Sequence, residues 1–153
     1  MKLFGITADG IEVYSHPEGH PHREDLLEET LKKISVNGAS FVRETVDLGR
    51  VIGKDHLVET NSDSVIVYRQ RGNRAGLSRM VLNQKADDTS KVTIIICKCD
   101  DSEPEYAGKY VVVTNFEGQP GEREPWDNSL KNNPETLARS QKFWATHALV
   151  PED

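Results

Sequence analysis

Apolar residues recur along the chain in two rhythms, and the change between them predicts most of the architecture. Leu3 to Ile6 and Ile11 to Tyr14 are short apolar runs on either side of Thr7-Ala8-Asp9-Gly10. An Asp-Gly pair in that setting predicts a β-hairpin. The stretch Ser15 to His22 is rich in turn formers and reads as a loop. From Pro21 or His22 the spacing turns helical, with Leu26, Leu27, Leu31 and Ile34 on one side and Asn37-Gly38 as the stop. Acids early in this helix and Lys32 and Lys33 near its end suit its dipole, so these charges need no functional explanation.

Beyond Ser40 the rhythm shortens. Phe41 to Leu48, His56 to Thr60, Val65 to Arg71, Leu77 to Gln84, Lys91 to Cys99 and Lys109 to Phe116 are β-prone runs separated by turn residues. Glu117 to Asp127 is rich in Gly and Pro and is expected to cross the surface as an irregular segment. Asn133-Pro134-Glu135 then supplies an N-cap, a first-turn proline and an acid for a second helix from Pro134 to about His147. Leu137, Gln141, Trp144 and Ala148 mark one side of it. The expected fold is α+β: a curved, mainly antiparallel sheet of about five to seven strands, with an N-terminal hairpin, one helix before the sheet and one C-terminal helix. No repeat or linker divides the chain, so residues 1–153 read as a single domain.

Composition narrows the class. Hydrophobic residues make up 36% and charged residues 29% of 153, enough apolar surface for a core without staples. Residues 1–10 carry one cation and lack an apolar signal region, and the longest aliphatic runs are far short of the roughly 20 residues that cross a bilayer. A cytoplasmic protein with no membrane partner is expected. Cys97 and Cys99 lie two apart in a β-rich run, so they share a strand face and pack as small apolar residues instead of pairing as a disulfide. The sequence places no further soft ligands beside them, and His16, His20 and His22 match no standard zinc spacing. No metal or cofactor is therefore expected.

The net charge of −6 argues against a general nucleic-acid coat, but it hides an asymmetry. Residues 41–85 carry eight cations against five carboxylates, while residues 1–40 carry four against seven and residues 86–153 seven against thirteen. The basic middle holds the densest candidate chemistry: Arg69, Arg71, Arg74 and Arg79 fall in the strand, turn and strand from Tyr68 to Arg79. Guanidinium groups bind phosphate through paired N–H donors, and the interleaved Gly72, Asn73 and Gly76 let backbone approach an anion. Arg69 and Arg71 are expected on one strand face, with Arg79 returning beside them from the partner strand. The competing reading is a solvated hairpin rim paired with Glu59, Asp63 and the acidic C-terminal half. His56 and His147 are the candidate proton carriers, His147 because Phe143 and Trp144 supply an apolar wall. Thr114 and Asn115 close the Val111 to Val113 run, where strand ends often carry site residues. The chain holds no P-loop, GxGxxG or GxSxG pattern.

The element order, together with Arg69, Arg71, Ser78, Arg79, Thr114 and His147, resembles the compact metal-independent ribonuclease toxins of the barnase, colicin and RelE type over about residues 20–116. That resemblance implies RNA cleavage by the ribose 2′-hydroxyl, with a histidine or carboxylate as base, a histidine as acid and arginines on the phosphate oxygens. The chain departs from it in its acidity and its added C-terminal helix. A non-catalytic acidic module that binds a basic protein partner, such as an antitoxin, immunity or phage accessory protein, is the alternative.

Overall fold

The computed structural model describes residues 1–151, which fall into two compact units. Among these, the first comprises residues 1–53 and 89–119, and the second residues 54–88 and 120–151. Twelve strands among the described residues are β1 (Leu3–Ile6), β2 (Glu12–Tyr14), β3 (His20–Pro21), β4 (Phe41–Asp47), β5 (Gly53–Asp55), β6 (Leu57–Glu59), β7 (Ile66–Gln70), β8 (Leu77–Val81), β9 (Asp87–Thr89), β10 (Lys91–Lys98), β11 (Tyr110–Glu117) and β12 (His147–Leu149). The α-helices are α1 (Leu27–Leu31) and α2 (Pro134–Trp144), each preceded by a 3-10 turn. The chain is α+β, as expected, and its sheets are largely antiparallel with some parallel pairs. The strands are spread over three sheets.

In the first unit the sheet order is β1-β2-β11-β10-β4, with β3 also on β11. The Asp9-Gly10 hairpin forms as read: Thr7 N–H donates to the Ile11 carbonyl at 2.9 Å, and Gly10 adopts φ 85°, a left-handed conformation that glycine tolerates. Alternate residues Val92, Ile94 and Ile96 of β10 are fully buried beneath Leu27 and Leu31 in one core cluster.

The first helix is shorter than its apolar spacing predicts. Leu26, Leu27, Leu31 and Ile34 are all buried, so the face was read correctly, but regular helix is confined to residues 24–31. Tertiary pairing takes the expected first turn. His20 and Pro21 lie parallel to Thr114 and Asn115, and the buried Asn115 side-chain amide clamps Arg23 just beyond them. Its Oδ1 accepts from Arg23 N–H at 3.0 Å and its Nδ2 donates to the Arg23 carbonyl at 2.7 Å. Held so, Arg23 keeps a non-helical φ of −127° and ψ of 68°, and its carbonyl takes the first bond of the 3-10 turn, from Leu26 N–H at 3.1 Å.

In the second unit the order is β6-β12-β8-β7, around Val58, Val81 and Ala148. Asn133 caps α2 by accepting from Thr136 N–H at 3.2 Å, and Pro134 opens the helix, as expected. The expected end at His147 is corrected: the helix stops at Trp144. His147 to Leu149 run instead as β12, antiparallel to β6 and parallel to β8. A three-residue strand gains enough from two neighbours to override the helical pattern that leads into it. No helix among the described residues is long and apolar enough to cross a membrane.

Candidate functional site

The arginine-rich hairpin is β7 and β8 joined by residues 71–76, and its register decides where each guanidinium goes. Tyr68 stands opposite Arg79 and Arg69 opposite Ser78. Opposed residues share a face while neighbours in sequence alternate, so Arg79 lies on the face opposite to Arg69. This corrects the expectation that Arg79 returns beside Arg69 and Arg71. Arg79 instead closes the end of α2: one terminal nitrogen donates to the Trp144 carbonyl at 2.9 Å and meets the Ala145 carbonyl at 3.4 Å. A cation on the last carbonyls of a helix satisfies orphan acceptors and the dipole together.

Arg71 is also engaged within the unit. Its Nε–H donates to the hydroxyl of Ser78, itself fully buried, at 2.9 Å, and a terminal nitrogen lies 3.5 Å from the Glu124 carboxylate. Arg69 is exposed, and its side chain has no hydrogen bond or ion pair among the described residues. His56 places Nδ1 3.1 Å from the Val150 carbonyl. His147 places Nδ1 3.0 Å from the Phe143 carbonyl and stacks its ring on Phe143 at 4.1 Å. In the tautomer with the proton on Nδ1 each ring donates to that carbonyl; at His147 the Thr146 hydroxyl lies as near to Nδ1, at 3.0 Å. Thr114 belongs to the first unit, where its hydroxyl donates to the His20 carbonyl at 2.9 Å.

A pocket of about 240 Å³ opens on the Arg79 face of the hairpin. Tyr68 and Leu77 from the strands, Arg79, Glu124 and Pro125 from the irregular segment, and Gln141, Trp144 and Ala145 from α2 line it. The sequence reading missed Glu124. It lies in a Gly- and Pro-rich stretch expected at the surface, yet it is 7% exposed. The one sequence signal was Trp126, a large aromatic in an irregular segment that must find cover. Trp126 packs so closely on Gly76 that a Cβ at that position would overlap the indole. The segment is held to α2 by Trp144 Nε1–H, which donates to the Glu122 carbonyl at 3.0 Å, and by the Ser140 hydroxyl, which donates to the Arg123 carbonyl.

Three buried polar atoms in this region have no hydrogen-bond partner among the described residues: Arg79 Nε, Glu124 Oε1 and Trp126 Nε1. Buried polar groups are nearly always paired, and a cluster of exceptions marks a place where a partner is missing. Two of the three belong to pocket-lining residues, one a donor and one an acceptor. The pocket is thus lined by aromatic side chains together with one carboxylate, Glu124, and one guanidinium, Arg79, each of which also has one buried atom without a partner among the described residues.

No protein-family model matches the chain, and no curated protein matches it. The chain is similar in structure to a conserved hypothetical protein from Toxoplasma gondii ME49, with a TM-score of 0.58 over 92% of this chain and 94% of that one. The likeness is one of fold alone. Sequence identity is 10%, so function has to be argued from the residues of the pocket.

Proposed function

We propose that the second unit is a binding module whose pocket takes a nucleobase, presented by a free nucleotide or by single-stranded RNA. The observation that carries this reading is the presence of a carboxylate, Glu124, and a guanidinium, Arg79, beside Tyr68 and Trp144 in the lining of one pocket. A base has an aromatic face for Trp144 and Tyr68 and a polar edge that combines donors with acceptors. Guanine matches best. Its N1–H and N2–H₂ groups answer a carboxylate, and its O6 and N7 answer a guanidinium. The charge balance is permissive here: the second unit carries ten cations against eleven carboxylates, leaving most of the chain's −6 on the first.

Trp126 and Trp144 are the only tryptophans, so intrinsic fluorescence reports on this region without a label. Titration with the four nucleoside monophosphates and with short oligoribonucleotides is expected to give a saturable one-to-one response. Guanine should be favoured by roughly 10-fold or more, and Glu124→Gln should remove that preference. If only oligoribonucleotides bind, the source is RNA; if both bind equally, it is the free base. No response to any of them would overturn the proposal. Incubation with total RNA in chelator extends the test to metal-independent cleavage, for which cyclic-phosphate ends lost on replacing both His56 and His147 would be the signature.

The acidity of the first unit supports a second reading, a module that meets a basic protein partner. That unit carries nine cations against fourteen carboxylates. A salt-sensitive complex without any nucleotide response is its expected signature.

A further inference from the structure

The first unit brings His16 to Cys99 and Glu103, which are near each other in sequence and far from it. Ligand atoms of His16, Cys99 and Glu103 all lie within 4.8 Å of one another. His16 Nε2 is 3.0 Å from Glu103 Oε2, and the histidine side chain is only 11% exposed. The backbone fixes each contributor. His16 follows β2, and its carbonyl accepts from Gly19 N–H at 2.9 Å. Cys99 continues β10, with its N–H donating to the Lys109 carbonyl at 2.9 Å and its carbonyl accepting from Gly108 N–H at 3.0 Å. Glu103 opens a turn in which its carbonyl accepts from Tyr106 N–H at 2.9 Å, and the Tyr106 ring packs against His16 with centroids 4.7 Å apart.

We propose that His16 Nε2, Cys99 Sγ and a Glu103 carboxylate oxygen form a divalent metal site of zinc type, with the fourth position open to water or a ligand. The argument rests on ligand chemistry and on reach. Imidazole, thiolate and carboxylate are the donors zinc uses, and a set of three with one open position is the pattern of reactive sites, whereas purely structural ones are closed by four. Bond lengths of about 2.0–2.3 Å place neighbouring ligands of a tetrahedral ion roughly 3.3–3.7 Å apart. Atoms already within 4.8 Å reach that spacing by small side-chain rotations. Two anionic ligands balance a dication, and the surplus of carboxylates in this unit adds long-range attraction for a cation. The site also supplies what the sequence could not place: the partners for a sulfur of the Cys97 and Cys99 pair.

Binding moves protons in a defined way. His16 Nδ1 accepts from Glu18 N–H at 3.1 Å, so in the metal-free chain the ring proton sits on Nε2, facing Glu103. Metal at Nε2 takes the place of that proton, the neutral ring takes up a proton at Nδ1 as the Nε2 proton leaves to solvent, and the Glu18 amide must find another acceptor. The Cys99 thiol releases its proton to solvent as the metal–sulfur bond forms.

The test uses the full chain and zinc or cobalt alone. Expected are one equivalent of Zn²⁺ bound, a thiolate-to-cobalt charge-transfer band with Co²⁺, and a shift of the Glu18 amide resonance on metal addition. Cys99→Ser and His16→Gln should each weaken binding by more than the roughly 10–100-fold that loss of an outer-shell partner costs. Cys97→Ser should retain the metal and the band. Amide spectra of the variants check that they remain folded; if one does not, the Glu18 shift and protection of Cys99 from alkylation in the unaltered chain decide the matter. Absence of binding, absence of the charge-transfer band, or binding that survives Cys99→Ser would overturn the proposal.

Discussion

Replacing Arg79 separates a structural role from a ligand-facing one, because the same side chain ends α2 and lines the pocket. Its donation to the Trp144 carbonyl at 2.9 Å is a hydrogen bond from a charged group, worth about 1.5–3 kcal/mol net. The Ala145 contact at 3.4 Å is too long to add much, and charge at a helix C-terminus contributes about 0.3–1 kcal/mol. Water recovers part of this once the side chain is gone, so Arg79→Ala is expected to cost about 2 kcal/mol. For a chain of this size that lowers Tm by roughly 4–8 °C. Lysine keeps the charge but not the planar fork, and Arg79→Lys should recover about half the loss. Urea and thermal unfolding give the totals, and hydrogen exchange should speed in the last turn of α2 and in β12. If Arg79→Ala stays within about 0.5 kcal/mol of the parent while nucleotide binding disappears, the helix-capping argument is wrong.

The remaining predictions concern particular contacts. Asn115→Leu leaves the half-buried Arg23 N–H without its partner and removes one of the two donors to the Arg23 carbonyl, and should destabilise by about 1–3 kcal/mol in chemical denaturation, whereas an exposed-site change would be near neutral. Asp9 accepts from the Thr7 hydroxyl and from the Val36 and Asn37 amides, which hold its pKa down to about 2 against an ordinary 3.8. Its folded value is depressed, so its contribution is full above pH 4 and is lost as pH falls toward 2; the stability gap between the parent and Asp9→Asn should close across that interval. Gly76→Ala drives a methyl into the Trp126 indole and should cost about 1–3 kcal/mol and alter tryptophan emission. Burial pushes both the Cys97 and Cys99 thiols above their usual range, so alkylation at neutral pH should be slow in the folded chain and fast in denaturant; equal rates would contradict the packing.

Local signals were legible wherever short-range chemistry decides. Asp9-Gly10 sets its own turn, and the alternation of Val92, Ile94 and Ile96 marks a strand whatever its partners. The start of the first helix was not legible, because Asn115, more than ninety residues away, claims the Arg23 backbone. β12 was hidden because three residues after a helical pattern carry too little periodicity to announce a strand, and their pairing is non-local. For the site, the density of arginines located the right hairpin. Which face each arginine takes depends on register, where a shift of one residue exchanges the two faces. Pairing of Arg69 with Ser78, not with Arg79, separated the guanidinium groups. Glu124 is marked locally only by the nearby Trp126, since its lining partners come from distant parts of the unit.

The most direct measurement is the nitrogen–proton NMR signal of Arg79 Nε–H, followed with those of the Trp126 and Trp144 indoles during titration with guanosine monophosphate. Arg79 Nε–H has no acceptor among the described residues, so filling the pocket that its side chain lines should shift this signal together with that of the Trp144 indole, saturably and at one equivalent. Signals in the second unit that stay fixed at saturating nucleotide would contradict the assignment of the pocket as a nucleobase site.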